Sequence, residues 1–229
     1  MYYGDPTYFL IIIGIFITLG AQFKINSAYK KYKQIELTKK ITGAEVARAI
    51  LKENNLDEIY VVETKGELTD HYDPGAKTIR LSRDIYNGET IASASVAAHE
   101  VGHAIQDKID YKFYQMRSLL FPVVNFISYL GYIGLIISFI GGLTTYIMMC
   151  ILVLVATVIF QLVTLPVEFD ASRRAGIELE KLGLLTKDEK IGVSKMLGAA
   201  ALTYVASLVS SLLQLLRLIL IFNSSDSRD

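Results

Sequence analysis

Hydrophobic positions along the chain fall into two regimes. In residues 6–23, 118–167 and 196–222, apolar side chains follow one another with almost no charge between them. In 24–117 and 168–195, charged and apolar positions alternate at the spacings of folded, water-facing elements. The window from Pro6 to Phe23 is long enough for one helical crossing of a bilayer, which needs about 20 residues. A cleaved signal peptide is the competing reading. It fits less well, because the positive charges follow the apolar stretch and no small-residue cleavage site stands out. From Ser118 to Val167 there is no charged residue over 50 positions. That run is too long for one crossing. Gly141-Gly142 and Thr144-Thr145 punctuate it, so it reads as two spans, near 121–140 and 146–165, joined by a tight turn at 141–145. The last apolar segment runs from Met196 through Arg217, whose guanidinium could snorkel to an interface. An in-plane or partly embedded helix is the alternative for this segment.

The mixed segments carry different signals. Thr42-Gly-Ala-Glu45 is a capping box, followed by Val46, Ala49 and Ile50 on one face, which predicts a helix over 43–54. Ile59-Tyr-Val-Val62 is rich in strand formers, and Lys65-Gly66 turns it. Leu68–Tyr72 and Lys77–Leu81 flank Asp73-Pro74-Gly75, where proline sets φ and glycine permits a positive φ. These three runs predict a small antiparallel sheet. Asn87-Gly88 breaks the chain, and a helix is expected from Thr90 to Asp107.

Charge then orients these parts. The chain has 23 Lys+Arg, 23 Asp+Glu and 52% hydrophobic residues, with a mean hydropathy of +0.38. A balanced charge argues against nucleic acid as a partner. The composition excludes collagen-like, disordered and disulfide-rich classes, and the single Cys150 cannot form an intrachain disulfide. Residues 24–40 hold six lysines, and 168–195 hold six Lys+Arg, while 1–6 and 141–145 hold none. Basic loops stay inside. The expected layout is therefore a multi-pass cell-membrane protein of about four spans with both termini outside. Its segments are a first helix (6–23), a cytoplasmic module (24–117), a hairpin of two spans (118–167), a second cytoplasmic segment (168–195) and a last span or embedded helix (196–222). Tyr2, Tyr3, Tyr8, Tyr29 and Tyr32 flank the first span as interfacial anchors.

The predicted helix at 90–107 contains His99-Glu100-Val101-Gly102-His103, an HExxH pattern. Histidines at i and i+4 lie on one helix face and can share one ion. Imidazole is a good zinc ligand, and zinc lowers the pKa of a bound water toward about 7. Glu100 stands where it can take a proton from that water and later return it to a leaving amine. Ala97, Ala98, Gly102 and Ala104 allow close packing around the motif. The pattern points to one Zn2+ and to peptide hydrolysis.

Catalytic zinc usually has three protein ligands. No histidine follows His103, so the third must be a carboxylate or else His71. The best carboxylate is Glu168, the first charge after the apolar run, in the helical-looking stretch Val167-Glu-Phe-Asp-Ala-Ser-Arg-Arg-Ala175. Asp170 is a rival ligand. It reads better as a group that orients a ligating histidine or pairs with Arg173 or Arg174. His71, in Thr69-Asp-His-Tyr-Asp-Pro74, has two readings. It could stabilise a turn, or the strand could edge the cleft, pair with an extended substrate and let His71 or Tyr72 donate to an oxyanion.

Three stretches resemble the YugP-type membrane neutral zinc metallopeptidases: Leu68–Pro74, Ala97-Ala-His-Glu-Val-Gly-His-Ala-Ile-Gln106 and Pro166–Arg174. The resemblance covers nearly the whole chain. It implies a zincin-like peptidase module on a mostly α-helical integral membrane protein. More distantly, the layout is similar to the HtpX membrane proteases, in which a cytoplasm-facing zinc helix precedes spans and a glutamate ligand. That likeness implies His99, His103 and Glu168 as a gluzincin-like ligand set and Glu100 as the base. The distant group carries an aspartate four residues after its ligand glutamate, where this chain has Ser172.

The expected function is a membrane-bound zinc endopeptidase acting on a protein or peptide substrate, with membrane-associated proteins among the candidates. Two other classes compete. A non-catalytic scaffold or chaperone-like protein would hold zinc in a closed four-ligand shell, for which no cysteine is at hand. A small transporter would place ionisable groups inside the spans, and the 118–167 hairpin has none. Oligomeric state leaves no mark in the sequence.

Overall fold

A computed structural model describes residues 7–141 and 146–226. The elements run α1 (Tyr8–Tyr32), α2 (Gly43–Glu53), β1 (Tyr60–Thr64), β2 (His71–Asp73), β3 (Thr78–Ser82), α3 (Arg83–Asn87), α4 (Ile91–Lys108), α5 (Lys112–Gly141), α6 (Tyr146–Lys181) and α7 (Lys187–Asp226). The chain is mostly helical with one small sheet. Tyr2 and Tyr3, and the turn at 141–145 beyond Gly141, lie outside the described residues.

The chain divides into two compact units. One comprises the described residues up to Gln22, Met116–Leu165 and those from Thr203 onward. Among the described residues, four helices are long and apolar enough to cross a membrane: Tyr8–Tyr32, Lys112–Gly134, Met148–Lys181 and Lys187–Asn223. Large apolar side chains of this unit point outward, including Phe16, Leu119, Phe126, Tyr129, Leu152 and Leu162. Such a surface would associate in water; hydrocarbon is its natural solvent, and helices satisfy their backbone groups there. The last helix is continuous through Arg217, whose guanidinium sits over the Tyr8 ring at 4.6 Å.

The other unit comprises Phe23–Gln115 and Pro166–Leu202. The capping box opens α2: Thr42 accepts from the Glu45 backbone, and Glu45 accepts from the Thr42 backbone. Its face of Val46, Ala47, Ile50 and Leu51 is buried with Ile79, Leu81, Ile85, Val101 and Leu179 in a single core.

The sheet departs from the expected antiparallel arrangement. Its order is β1-β3-β2, with β1 and β3 parallel and only β2 and β3 antiparallel. Burial explains this. Four of the five residues of β3 are buried, on both faces, so β3 takes the centre, while β1 alternates and β2 stays at an edge. Asp70 holds the arrangement: its carboxylate accepts from the Ser82 N–H at 2.7 Å and from its hydroxyl, tying the start of β2 to the end of β3. The positive φ expected at Gly75 falls instead on Lys77, at φ 45°. The loop opens with Ala76 N–H donating to the Asp73 carboxylate, and its left-handed residue comes last.

Candidate metal centre

Helix α4 begins at Thr90, whose hydroxyl accepts from the Ser93 N–H. Most of the helix is buried, and its small residues let neighbours approach closely. Gly102 is a point of close approach. A Cβ there would stand 2.6 Å from the Ala171 carbonyl oxygen. With no side chain between them, the α4 backbone lies against α6, bringing the His99–His103 face to Glu168.

The three side chains meet. His99 Nε2 is 3.2 Å from Glu168 Oε2, and His103 Nε2 is 3.7 Å from the same oxygen. One donor atom from each of His99, His103 and Glu168 lies within 4.8 Å of the others. The two imidazoles stand edge to face, 83° apart. Glu168 is 2% exposed. A buried carboxylate needs a compensating positive charge. Two imidazole nitrogens and one carboxylate oxygen are the donors that zinc takes in open catalytic sites. The residues present therefore fit the ion.

Each imidazole turns its other nitrogen to a neighbour. His99 Nδ1 is 3.2 Å from Ser172 Oγ, and His103 Nδ1 is 3.0 Å from Gln106 Oε1. Gln106 is fully buried, and its Nε2 donates to the Val167 carbonyl and to Asp170. Asp170 in turn accepts from Arg173 and Arg174. Asp170 and Arg173 thus lie one step behind the imidazoles, and the three grouped donors do not include Asp170.

Glu100 is buried beside this group, and its Oε2 accepts the Tyr72 N–H at 3.0 Å. Burial pushes its carboxyl up to about 7 from 4.5; His99 opposes that rise and Glu168 adds to it. Tyr72 also bonds Asp107 through its hydroxyl, so edge strand β2 is fastened to α4 at two points. Burial and that bond hold the Tyr72 phenol well above its ordinary value. His71 belongs to the same strand. Its ring is exposed and contacts the Thr69 carbonyl at 2.7 Å, outside the three-donor group.

Sequence reasoning passed over Gln106, the Tyr72 N–H and the contact of Ser172 with His99. Gln106 had a visible signal, since it stands three residues after His103 on the same helical face. Ser172 stands one turn after Glu168, where it was noted only as a departure from a distant pattern. A backbone donor such as the Tyr72 N–H leaves no trace in residue types.

The family described as "Putative neutral zinc metallopeptidase" matches residues 7–223. The chain is also similar to "Putative membrane protease YugP" of Bacillus subtilis (strain 168), 44% identical over 214 residues, covering 93% of this chain and 95% of that one. No solved structure matches the chain.

Proposed function

The chain belongs to the neutral zinc metallopeptidase family, and from that premise we propose that it is a multi-pass membrane endopeptidase of gluzincin-like type. The observation that carries the proposal is the convergence of one donor atom each from His99, His103 and Glu168 within 4.8 Å, with Glu100 buried alongside. These three residues would hold one zinc ion. When bound, zinc supplies Lewis acidity, which makes water a better nucleophile near neutral pH and polarises a carbonyl.

The chain's own residues supply the rest. Glu100 takes the proton of the attacking water and returns it to the departing amine. Its raised pKa suits a group that must both accept and release a proton near neutrality. Strand β2 is the free edge of the sheet beside Glu100, so an extended segment of substrate could align along it. On that edge His71 is the candidate donor to the carbonyl oxygen under attack, since both Tyr72 donors are already given, to Glu100 and Asp107. Asp170 and Arg173 support the ligand face from behind. The Lys/Arg-rich segments 24–40 and 168–195 support a site on the cytoplasmic side. Proteins or peptides near the membrane are the substrate class this favours.

The test is Glu100→Gln in the full chain, purified in detergent, with labelled casein as a generic substrate. Removing a general base should lower turnover by about 10²–10⁴-fold while zinc content stays at one ion per chain. Full proteolysis by Glu100→Gln would refute the mechanism. The cytoplasmic site has its own check: exposed Lys77, changed as Lys77→Cys in a Cys150→Ser background, should react with an impermeant maleimide only in inside-out vesicles.

A further inference from the structure

The contacts of Gln106 decide a question that the ligands alone leave open: which imidazole nitrogen of His103 carries the proton. The Gln106 amide nitrogen faces two groups that can only accept, the Val167 carbonyl at 2.8 Å and the Asp170 carboxylate at 3.0 Å. Asp170 stays an acceptor because an arginine lies against each of its oxygens. The amide is therefore pinned, and its oxygen must be the atom 3.0 Å from His103 Nδ1. An oxygen there requires Nδ1 to be the donor, so the neutral ring carries its hydrogen on Nδ1 and a lone pair on Nε2. That lone pair faces Glu168 Oε2 at 3.7 Å. Two acceptor atoms 3.7 Å apart in a buried site suit a cation between them.

Ser172 has no such authority over His99, because a hydroxyl can donate or accept. Gln106 has a second hold as well. Its bond to the Val167 carbonyl reaches α6 one residue before Glu168, so one side chain sets both the tautomer of His103 and the position of Glu168 against it.

We propose that Gln106 is the positioning residue of the metal centre: pinned by Val167 and by the arginine-held Asp170, it keeps His103 in its Nδ1–H form and so presents a ready zinc-binding nitrogen before any ion arrives. This deepens the metallopeptidase reading and rests on it. The role predicts metal affinity in the protein itself, separate from turnover.

The experiment uses the full chain in detergent, stripped of metal and titrated with Zn2+ alone against a chromophoric chelator. Thermal melting of each stripped protein is measured in parallel. Gln106→Leu fills the same space but leaves Nδ1 without an acceptor, so zinc should bind about 10–100-fold more weakly. Gln106→Glu restores the acceptor but puts a carboxylate against Val167 and Asp170. It should melt below Gln106→Leu, yet bind zinc close to the wild type, without the loss of about 10–100-fold. Affinity and stability would then rank in opposite orders, which a packing role cannot produce. The proposal is overturned if Gln106→Leu keeps wild-type affinity, or if both variants lose affinity in step with their melting temperatures. If neither variant folds, the imidazole 15N shifts of His103 in the metal-stripped wild type decide: a hydrogen on Nδ1 supports the proposal, and a hydrogen on Nε2 overturns it. A wild-type chain that takes up no zinc would instead sink the reading of the site as a metal centre, and this proposal with it.

Discussion

Substituting Gly102 by alanine probes the packing that creates the site. In an exposed helix this change stabilises, because glycine is worse than alanine by about 0.5–1 kcal/mol. At Gly102 the new Cβ would stand 2.6 Å from the Ala171 oxygen, 3.1 Å from its Cα and 3.2 Å from its carbonyl carbon. Ordinary contact begins at 3.4 Å, so the backbones must separate by about 0.8 Å, and both are helix main chain with little room to give. Overpacking of this kind costs about 1–3 kcal/mol. Allowing for the helix-propensity gain, the net loss is up to about 2.5 kcal/mol. At about 2–4 °C per kcal/mol for a chain of this size, melting should fall by up to roughly 10 °C. The same separation carries His99 and His103 away from Glu168. Zinc holds its ligands at about 2.0–2.2 Å, so a displacement near 0.8 Å cannot be absorbed without losing a ligand or straining the site. Zinc affinity of Gly102→Ala should therefore fall along with its melting temperature. Gly176, also in α6, is the control: nothing lies within 4 Å of its Cβ position, so Gly176→Ala should match or exceed the wild type in both measurements. A Gly102→Ala protein as stable as Gly176→Ala, with wild-type zinc affinity, would refute the claim that close backbone approach builds the site.

Other outcomes follow from the same contacts. Burial raises the Glu100 pKa from 4.5 to about 7. The stability contributed by its protonated form is full below about pH 4.5 and is lost as pH rises through about 7. Glu100→Gln without metal should therefore melt above the wild type at pH 8 and match it near pH 5; a constant difference across pH would count against this. Glu168→Gln should no longer hold one zinc per chain, measured by elemental analysis after gel filtration. Asp70→Ala leaves the buried Ser82 N–H without its acceptor and should destabilise by about 1–3 kcal/mol, while Asp70→Asn, which keeps an acceptor, should lose less. Thr42→Ala removes the cap of α2 at a cost of about 0.5–2 kcal/mol, readable as a lower melting temperature.

Much of this protein is written in local pattern. Uncharged stretches long enough to cross a bilayer, the Thr42–Glu45 capping box and the i, i+4 histidines around Glu100 each depend on residues within one element. Helical periodicity turns such spacing directly into a shared face. Glu168 was also legible, because charge resumes there after 50 uncharged positions. Tertiary structure alone decided which elements become neighbours. Nothing in β1, β2 or β3 by itself states that the most buried strand takes the centre, so a small antiparallel sheet is the natural expectation and a mixed one is what forms. The support of the metal centre was hidden for the same reason. Gln106 and Asp170 lie 64 positions apart, and the Tyr72 N–H meets Glu100 across 28. Hydrogen bonds of that range depend on how helices and strands pack, and packing is set by the shape of the whole core, which no single stretch of sequence displays.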